Sequence, residues 1–431
     1  MERPVCKVAL LGFGVVGSGT YQVLKNQAEE LPLKIGRRVE VARVLVRDQA
    51  KYAKDFSEVN FATSFEEIIS DDSIDIVVEL MGGIEPAKTY ISEALKKGKH
   101  VVTANKDLIA VHGQELLALA KENNCDLLFE AAVGGAIPII RPMKQCLVGN
   151  TFSEVMGIIN GTTNFILTKM SEDGMEFADA LKLAQDLGFA EADPTADVEG
   201  LDAGRKLAIL ASLAFHSSVV FSDVYTEGIS KITARDIEYA HELNYEIKLL
   251  GIAKETEGGI EAHVHPTMIP KSHPLAMVKD SFNAVFVHGD AVDDAMFYGR
   301  GAGSLPTGSA VVGDILDVVR NMMFDATARI GSSCYKEIPV KSMADTESSY
   351  YIRMQVEDKA GTLAALSGEF GKNNVNISML IQKNKSDDLS GAEIVIITYD
   401  VAEKHFMNSL EEIKKMNGIH EISSVIRVCQ K

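Results

Sequence analysis

The residues of this chain best placed to do chemistry together run from Glu191 to Lys206: Glu191-Ala-Asp-Pro-Thr-Ala-Asp197-Val-Glu-Gly-Leu-Asp202-Ala-Gly-Arg-Lys206. Five acids and a lysine stand here between a glycine-ended helical stretch and an apolar one. Carboxylates so grouped can hold an ammonium group, and a lysine beside them can exchange a proton with a reacting oxygen. Asp202 and Lys206 are four apart, so a helix over 201–215 projects both from one face. In isolation an exposed i,i+4 ion pair behind an acidic loop reads the same way. The elements that must position these residues decide between the two readings.

Composition sets the outer bounds. The chain has 431 residues and is 46% hydrophobic, enough for roughly two to four domains with cores of their own. Lys and Arg number 43 against 61 Asp and Glu, a net charge of −18, which argues against a nucleic-acid partner. Five cysteines, at 6, 125, 146, 334 and 429, are scattered without a C-x-x-C pair. Neither a disulfide framework nor a thiolate zinc site is expected, and a reducing compartment fits. The start runs into an apolar strand without a signal-peptide pattern, and no apolar run reaches membrane-spanning length. A cytoplasmic enzyme with no membrane partner is the expectation.

Residues 5–11 read as a buried strand followed at once by Gly12-Phe13-Gly14-Val15-Val16-Gly17, which opens a helix to about residue 30. This is G-x-G-x-x-G in a strand-to-helix setting. The first glycine permits the turn, the second lets the backbone approach a pyrophosphate, and the third lets helix pack on strand. The strand 39–46 ends in Arg47-Asp48, with Lys51 a turn later. A ribose 2′-phosphate wants an arginine there and a free hydroxyl wants an acid, so Arg47 and Lys51 favour NADP(H) while Asp48 leaves NAD(H) open. Strands at 74–80, 100–103 and 125–130 alternate with helices at 86–97 and 113–123, the pattern of a Rossmann-type, doubly wound parallel sheet. Ligands of such sheets sit beyond the strands' carboxyl ends. Three motifs fall there: Glu79-Leu-Met-Gly82-Gly83, Thr103-Ala-Asn-Lys106, and Glu130-Ala-Ala-Val133-Gly-Gly135-Ala-Ile137-Pro138. Lys106 could bind a carboxylate or the cofactor. The glycines at 134 and 135 suit either carbonyls turned toward a hard cation or a plain domain crossover.

After Pro138 the pattern changes. A strand at 152–159 ends in Asn160-Gly161-Thr162-Thr163-Asn164, a polar turn that caps the next helix and offers amides and hydroxyls to a small ligand. A helix at 177–187 stops at Gly188, and strands follow at 247–253, 261–266 and 284–288, an α+β domain with a mostly antiparallel sheet. His263, His265 and His273 look like a metal cluster but lack a supporting acid, so no metal is expected on them. A second glycine-rich loop, Gly299 to Gly303, opens a helix at 310–324 without the G-K-[ST] ending of a phosphate loop. It either closes over the ligands or returns the chain to the first domain. Residues 331–347 read as a linker. The last segment, strand-helix-strand-strand-helix-strand, is a ferredoxin-like module with no visible catalytic constellation. The expected domains are 1–135 for the dinucleotide, completed by 306–335; 136–305 for substrate and dimerisation; and 349–431 for regulation.

Taken in order, these motifs resemble homoserine dehydrogenase over 1–330 and an ACT regulatory domain over 349–428, the long Glu191–Lys206 pattern most specifically. The resemblance implies reversible interconversion of L-homoserine and L-aspartate 4-semialdehyde with NAD(P)(H), a step of threonine and methionine biosynthesis. It gives Lys206 the proton-transfer role, with Lys106 and Asp202 as its partners in catalysis. Gly161, Thr162, Glu191, Asp197, Asp202 and Lys106 would contact substrate. Gly12 to Gly17, Arg47, Lys51, Gly82, Thr103, Lys106, Gly188 and Gly303 would meet the cofactor. Glu130, Val133, Gly135 and Ile137 match the family's monovalent-cation site, usually sodium, formed by backbone carbonyls and one acid. The ACT module implies an amino-acid effector, L-threonine, bound near 358–363 and 373–376, and a homodimer or homotetramer. Some relatives carry tyrosine where this chain has Phe189, so that hydroxyl is absent here.

Two other readings stay open but are less favoured by the residues. A semialdehyde dehydrogenase that forms a thioester needs an activated thiolate, and neither Cys125 nor Cys146 stands with a basic residue in a recognisable arrangement. A sensor that binds a dinucleotide without turnover would have no use for Lys206 and its acids.

Overall fold

The computed structural model describes residues 5–327, 329, 334–384 and 391–430. They fall into two compact units. The first holds Met1–Val155, Arg205–Val224 and Asn283–Ile338, and the second Met156–Gly204, Tyr225–Phe282 and Pro339–Lys431.

In the first unit, β1 (Val5–Leu11), β2 (Arg38–Leu45), β3 (Phe61–Ala62), β4 (Ile76–Glu79), β5 (His100–Thr103) and β6 (Leu127–Leu128) form one sheet. Every pair is parallel, in the order β3-β2-β1-β4-β5-β6. The β4 and β5 residues are buried throughout, because helices cover both faces. One face packs Leu10, Val44 and Val78 against helices Val15–Asn26 and Ser304–Met323; the other packs Leu11, Val77 and Val101 against Ala87–Lys96 and Lys106–Glu122. Strand order reverses at β1, which opens a crevice beyond the carboxyl ends of β1 and β4.

Helix Ser304–Met323 belongs to this layer by direct backbone contact with Val15–Asn26. A Cβ on Gly19 would lie 2.2 Å from the Ser304 oxygen, and one on Gly308 2.7 Å from the Thr20 nitrogen, so only glycine fits at either position. The helix begins ahead of the expected 310, since Gly303 at φ 125° turns the chain and Ser304 follows it directly. Helix Lys106–Glu122 likewise begins well before the expected 113, because the Asn105 side chain caps it, accepting from the Leu108 amide at 3.1 Å. The first helix stops at Asn26, short of the expected 30, and β6 keeps two residues before a 3-10 turn at Glu130–Ala132.

In the second unit, Tyr245–Thr256 and Gly259–Pro270 pair antiparallel along their whole length. The strands Glu347–Glu357, Ile377–Asn384, Gly391–Thr398 and Ile419–Val428 lie in the order last, first, third, second. With helices Thr362–Lys372 and Glu403–Ile413 they make the expected ferredoxin-like module around Ile352, Phe370, Ile394 and Phe406. Of the expected linker, residues 331–333 lie outside those described; Lys336 bridges to Ser217 and Val340 to Ile260. The sequence reading passes over helix Ala234–Glu242. Its Thr233–Asp236 capping box is plain in the chain, and Asp236 also pairs with Arg353 at 2.8 Å, within a buried network that includes Glu393.

Candidate active site

The carboxyl edge of the first unit's sheet is shaped by glycines that packing demands and one that it does not. A Cβ on Gly12, at φ +104°, would lie 2.9 Å from the Leu80 oxygen, and one on Gly17 2.3 Å from the Gly12 oxygen. Around Gly14 nothing lies within 4 Å. The outer glycines are there for the fold, and the middle one leaves open space before the amides of helix Val15–Asn26, the position of a pyrophosphate. Phe13 brings only its main chain: its ring is buried edge-on against Tyr21, Tyr52, Phe56 and Phe61. Val15 is exposed and Val16 half-buried. Arg47 and Lys51 are exposed after β2, whereas the Asp48 carboxylate turns back to accept the Ala50 amide at 2.9 Å.

Glu79, fully buried at the end of β4, organises the neighbouring turns. It accepts from the Met81 and Gly82 amides at 2.8 and 3.1 Å and from the Thr103 hydroxyl at 2.7 Å. The Thr103 hydroxyl also accepts the Asn105 amide at 2.9 Å, so it orders this edge and is already engaged on both sides. Asn105 donates to the Gly83 oxygen at 2.7 Å and starts the helix whose first residue is Lys106. Gly82 and Gly83, both at φ +74°, have open space where a side chain would stand. Lys106 is half-buried, as is Lys206. Their neighbours meet: Arg205 pairs with Asp107 at 3.0 Å while its guanidinium stacks over Phe221. That pair ties the start of helix Lys106–Glu122 to the helix bearing Lys206.

The crossover after β6 is held by charge. Glu130 accepts the amides of Ile139 and Ile140 at 2.6 and 2.9 Å and of Arg141 at 2.7 Å, and its own amide donates to Asp314 at 2.7 Å. Arg141 pairs with Asp314 at 2.5 Å. Burial raises the Asp314 carboxyl to about 7 against the pull of Arg141. Between these anchors the chain passes through Gly134 and Gly135 at positive φ. Val133, Gly135 and Ile137 are buried there, and among the described residues their carbonyls accept no hydrogen bond. A buried loop with unclaimed carbonyls fits a hard monovalent cation. The Glu130 carboxylate takes two of its amides on Oε1 and one on Oε2, so one acceptor position remains on Oε2.

In the second unit, Asn160 caps helix Gly161–Asp173, accepting the Thr163 amide at 2.9 Å. Its amide nitrogen donates to Asp197 at 2.7 Å and to Asp202 at 2.9 Å, so two acids of the charged stretch converge on one side chain. Asp202 is buried and Asp197 half-buried. Gly161 follows the cap, and the Thr162 hydroxyl donates to the Phe189 oxygen at 2.7 Å, linking this turn to the loop after Gly188. Gly188 is exposed at φ +77°. The Phe189 ring packs on Phe165 at 4.8 Å. Glu191 is exposed and stands outside the Asn160 cluster. Helix Leu201–Phe215 carries Asp202 in its first turn and Lys206 one turn on. Gly303 is exposed immediately before Ser304–Met323. Residue-type reasoning missed Glu79, Asn105 and Asn160 as organisers; each stands inside a motif that it had marked.

A glycine cradle at the strand-order reversal, before the amides of a helix, defines a dinucleotide-binding protein. Comparison with known proteins narrows this. Residues 12–130 match the family model described as homoserine dehydrogenase, NAD binding domain, residues 138–316 that described as homoserine dehydrogenase, and residues 350–418 the ACT domain. A homoserine dehydrogenase of Bacillus subtilis is 43% identical over 423 residues, 98% of each chain. One of Neisseria gonorrhoeae is 43% identical over 431 residues, 99% of each. The crystal structure of a homoserine dehydrogenase from Thiobacillus denitrificans superimposes with a TM-score of 0.95 at 41% identity, covering 100% of this chain and 99% of that one. A hyperthermophilic archaeal homoserine dehydrogenase in complex with NADPH covers 73% of this chain and 98% of its own, with a TM-score of 0.63 at 27% identity. The chain belongs to the homoserine dehydrogenase family and carries an ACT domain. Among its described residues no helix is long and apolar enough to cross a membrane.

Proposed function

We propose that the protein interconverts L-homoserine and L-aspartate 4-semialdehyde reversibly, with NADP(H) preferred over NAD(H), in the cytoplasm, as a step toward threonine and methionine. The observation that carries the site is the convergence of Asp197 and Asp202 on Asn160, one helical turn from Lys206. Two carboxylates sharing one amide leave acceptor capacity for an α-ammonium group. When bound, the nicotinamide supplies or accepts the hydride. Charge then changes on the substrate oxygen, and a cation or acid must meet it. Lys206 takes that role, Asp202 orients it or holds the ammonium, and Lys106 holds the carboxylate or lies beside the cofactor. Gly161 and Thr162 border the substrate, Thr162 chiefly by fixing the 189 loop, and Glu191 with Asp197 binds the ammonium or orders the water that relays the proton. The cofactor runs along Gly12–Gly17, Gly82, Thr103, Gly188 and Gly303, with Arg47 and Lys51 at the 2′-phosphate. The turned-back Asp48 and the NADPH complex of the archaeal relative support the NADP(H) preference.

The loop carbonyls of Val133, Gly135 and Ile137, with Glu130 as the acid, would hold sodium. The 349–431 segment would take L-threonine as effector in a homodimer or homotetramer, with 1–135 and 306–335 as cofactor domain and 136–305 as substrate domain. The test is NADPH oxidation with aspartate semialdehyde by wild type and K206A. Turnover should fall at least about a hundredfold with NADPH affinity retained; unchanged turnover removes Lys206 from this role.

A further inference from the structure

Lys248 is a lysine in a place that ordinarily rejects one. It sits on strand Tyr245–Thr256 with 4% of its surface exposed. Burying an ammonium group is costly unless its hydrogens find acceptors. Its Nζ donates to the Val278 oxygen at 2.6 Å and to the Asn164 Oδ1 at 3.3 Å. Asn164, 1% exposed, is the last residue of the Asn160–Asn164 motif. Its Nδ2 donates to the carbonyls of Val278, Asp280 and Phe282 at 3.3, 2.9 and 3.1 Å. The Thr168 hydroxyl, one helical turn on, takes the Asp280 amide at 3.0 Å.

This arrangement divides the motif in two. Asn160 faces the acids, and Asn164, one turn deeper, is the anchor that fixes the helix to the 278–282 turn. An asparagine amide can flip end for end; an ammonium on its oxygen permits one orientation only, the one that puts three carbonyls on its nitrogen. Asn160 and Asn164 lie one helical turn apart and are joined directly, the Asn164 amide bonding back to the Asn160 oxygen. A tilt at the anchor is therefore a displacement at the cap.

We propose that Lys248 is a positioning residue for substrate: it locks the Asn164 amide and thereby holds the Asn160 turn in register with Asp197 and Asp202. The inference rests on the reading above that this cluster binds substrate. Burial also lowers the lysine's pKa to about 8. The charged groups around it are Glu246 on its own strand, Glu172 on helix Gly161–Asp173, and Lys279 and Asp280 on the turn. His241 of helix Ala234–Glu242 and Lys271 meet Glu246 behind them. The charge on Lys248, and with it the stronger hydrogen bond to Asn164, is present below pH 8 and lost as pH rises through it.

Steady-state kinetics of wild type, K248M, K248R and N160A separate the possibilities. K248M should raise the homoserine KM about tenfold, the size of one lost charge-assisted hydrogen bond, and leave the cofactor KM unchanged. K248R keeps a charge that does not titrate, so it should hold the homoserine KM near wild type and abolish its rise above pH 8. N160A should raise that KM as well. An unchanged homoserine KM in N160A sinks the substrate-site reading. A raised value in N160A beside an unchanged value in K248M overturns the positioning role. If K248M does not fold, the pH profiles decide: a wild-type homoserine KM that is flat across pH 8, or a rise that survives in K248R, overturns it equally.

Discussion

Replacing Glu79 by alanine tests whether the carboxyl edge of the sheet is built on that one buried acid. Its oxygens take three donors: the Met81 amide, the Gly82 amide and the Thr103 hydroxyl. Gly82 is exposed, so its amide regains water in the variant. Thr103 is fully buried and Met81 half-buried, and their donors lose a partner with little water to replace it. At about 1–2 kcal/mol for each buried donor left unsatisfied, E79A should destabilise the protein by about 3 kcal/mol. That is a large share of the roughly 5–15 kcal/mol that folds of this kind possess. E79Q keeps an oxygen for the two amides and leaves only the Thr103 hydroxyl without an acceptor, so its cost should be about 1 kcal/mol. Urea unfolding measures both. NADPH titration by nucleotide fluorescence should show weaker binding for E79A, because the Met81–Gly83 turn that flanks the cradle loses its tie. An E79A protein within about 0.5 kcal/mol of wild type, binding NADPH as tightly, would refute the assignment of Glu79 as the organiser of this edge.

Other consequences are open to direct measurement. R47D should weaken NADPH about tenfold or more while sparing NADH; equal effects on both would remove Arg47 from the 2′-phosphate. The stacked pair His263 and His265 is buried, and desolvation lowers His263 to about 3 and His265 well below its usual value. Both are neutral in the fold, so the stability they permit is complete above about pH 6.5 and declines as pH falls below it, where the unfolded chain takes protons the fold refuses. H263F should therefore lose about 1 kcal/mol less than wild type between pH 7 and 5.5, read from unfolding midpoints; identical acid losses would refute this. Isothermal titration with L-threonine should give heat and lowered activity. Absence of both at saturating concentrations would remove threonine as the effector.

The sequence was most readable where a residue type has one physical use. Gly12, Gly14 and Gly17 announced a strand-to-helix turn, and two of them prove to be demanded by packing contacts under 3 Å. The βαβ alternation gave the parallel sheet, and the period of the last eighty or so residues gave the ferredoxin-like module, because these patterns follow from which faces are covered. Helix beginnings were least readable. Lys106–Glu122 starts with Lys-Asp, outside any apolar period, and is set by one capping bond from Asn105. Helix Ala234–Glu242 is polar in composition, and its burial depends on Arg353 and Glu393, more than a hundred residues away in the chain. Such pairings leave no local trace. The same holds for the candidate site. The Asp202–Lys206 spacing suggested a shared face, while the contact that gathers Asp197 and Asp202 comes from Asn160, read from sequence mainly as a cap.

The convergence on Asn160 also constrains how the acids can work. Asp197 and Asp202 converge on a single neutral amide, which donates one hydrogen to each. On our reading the substrate's ammonium binds at these two carboxylates. An analogue that lacks the amine but keeps hydroxyl and carboxylate should then bind far more weakly than one that lacks the carboxylate. In D202N, where one of the two charges is gone, that preference should shrink. Competition assays with 4-hydroxybutyrate and 3-aminopropanol against homoserine read both. Equal inhibition of wild type by the two compounds would place the ammonium elsewhere and return Asp197 and Asp202 to a purely structural role around the cap.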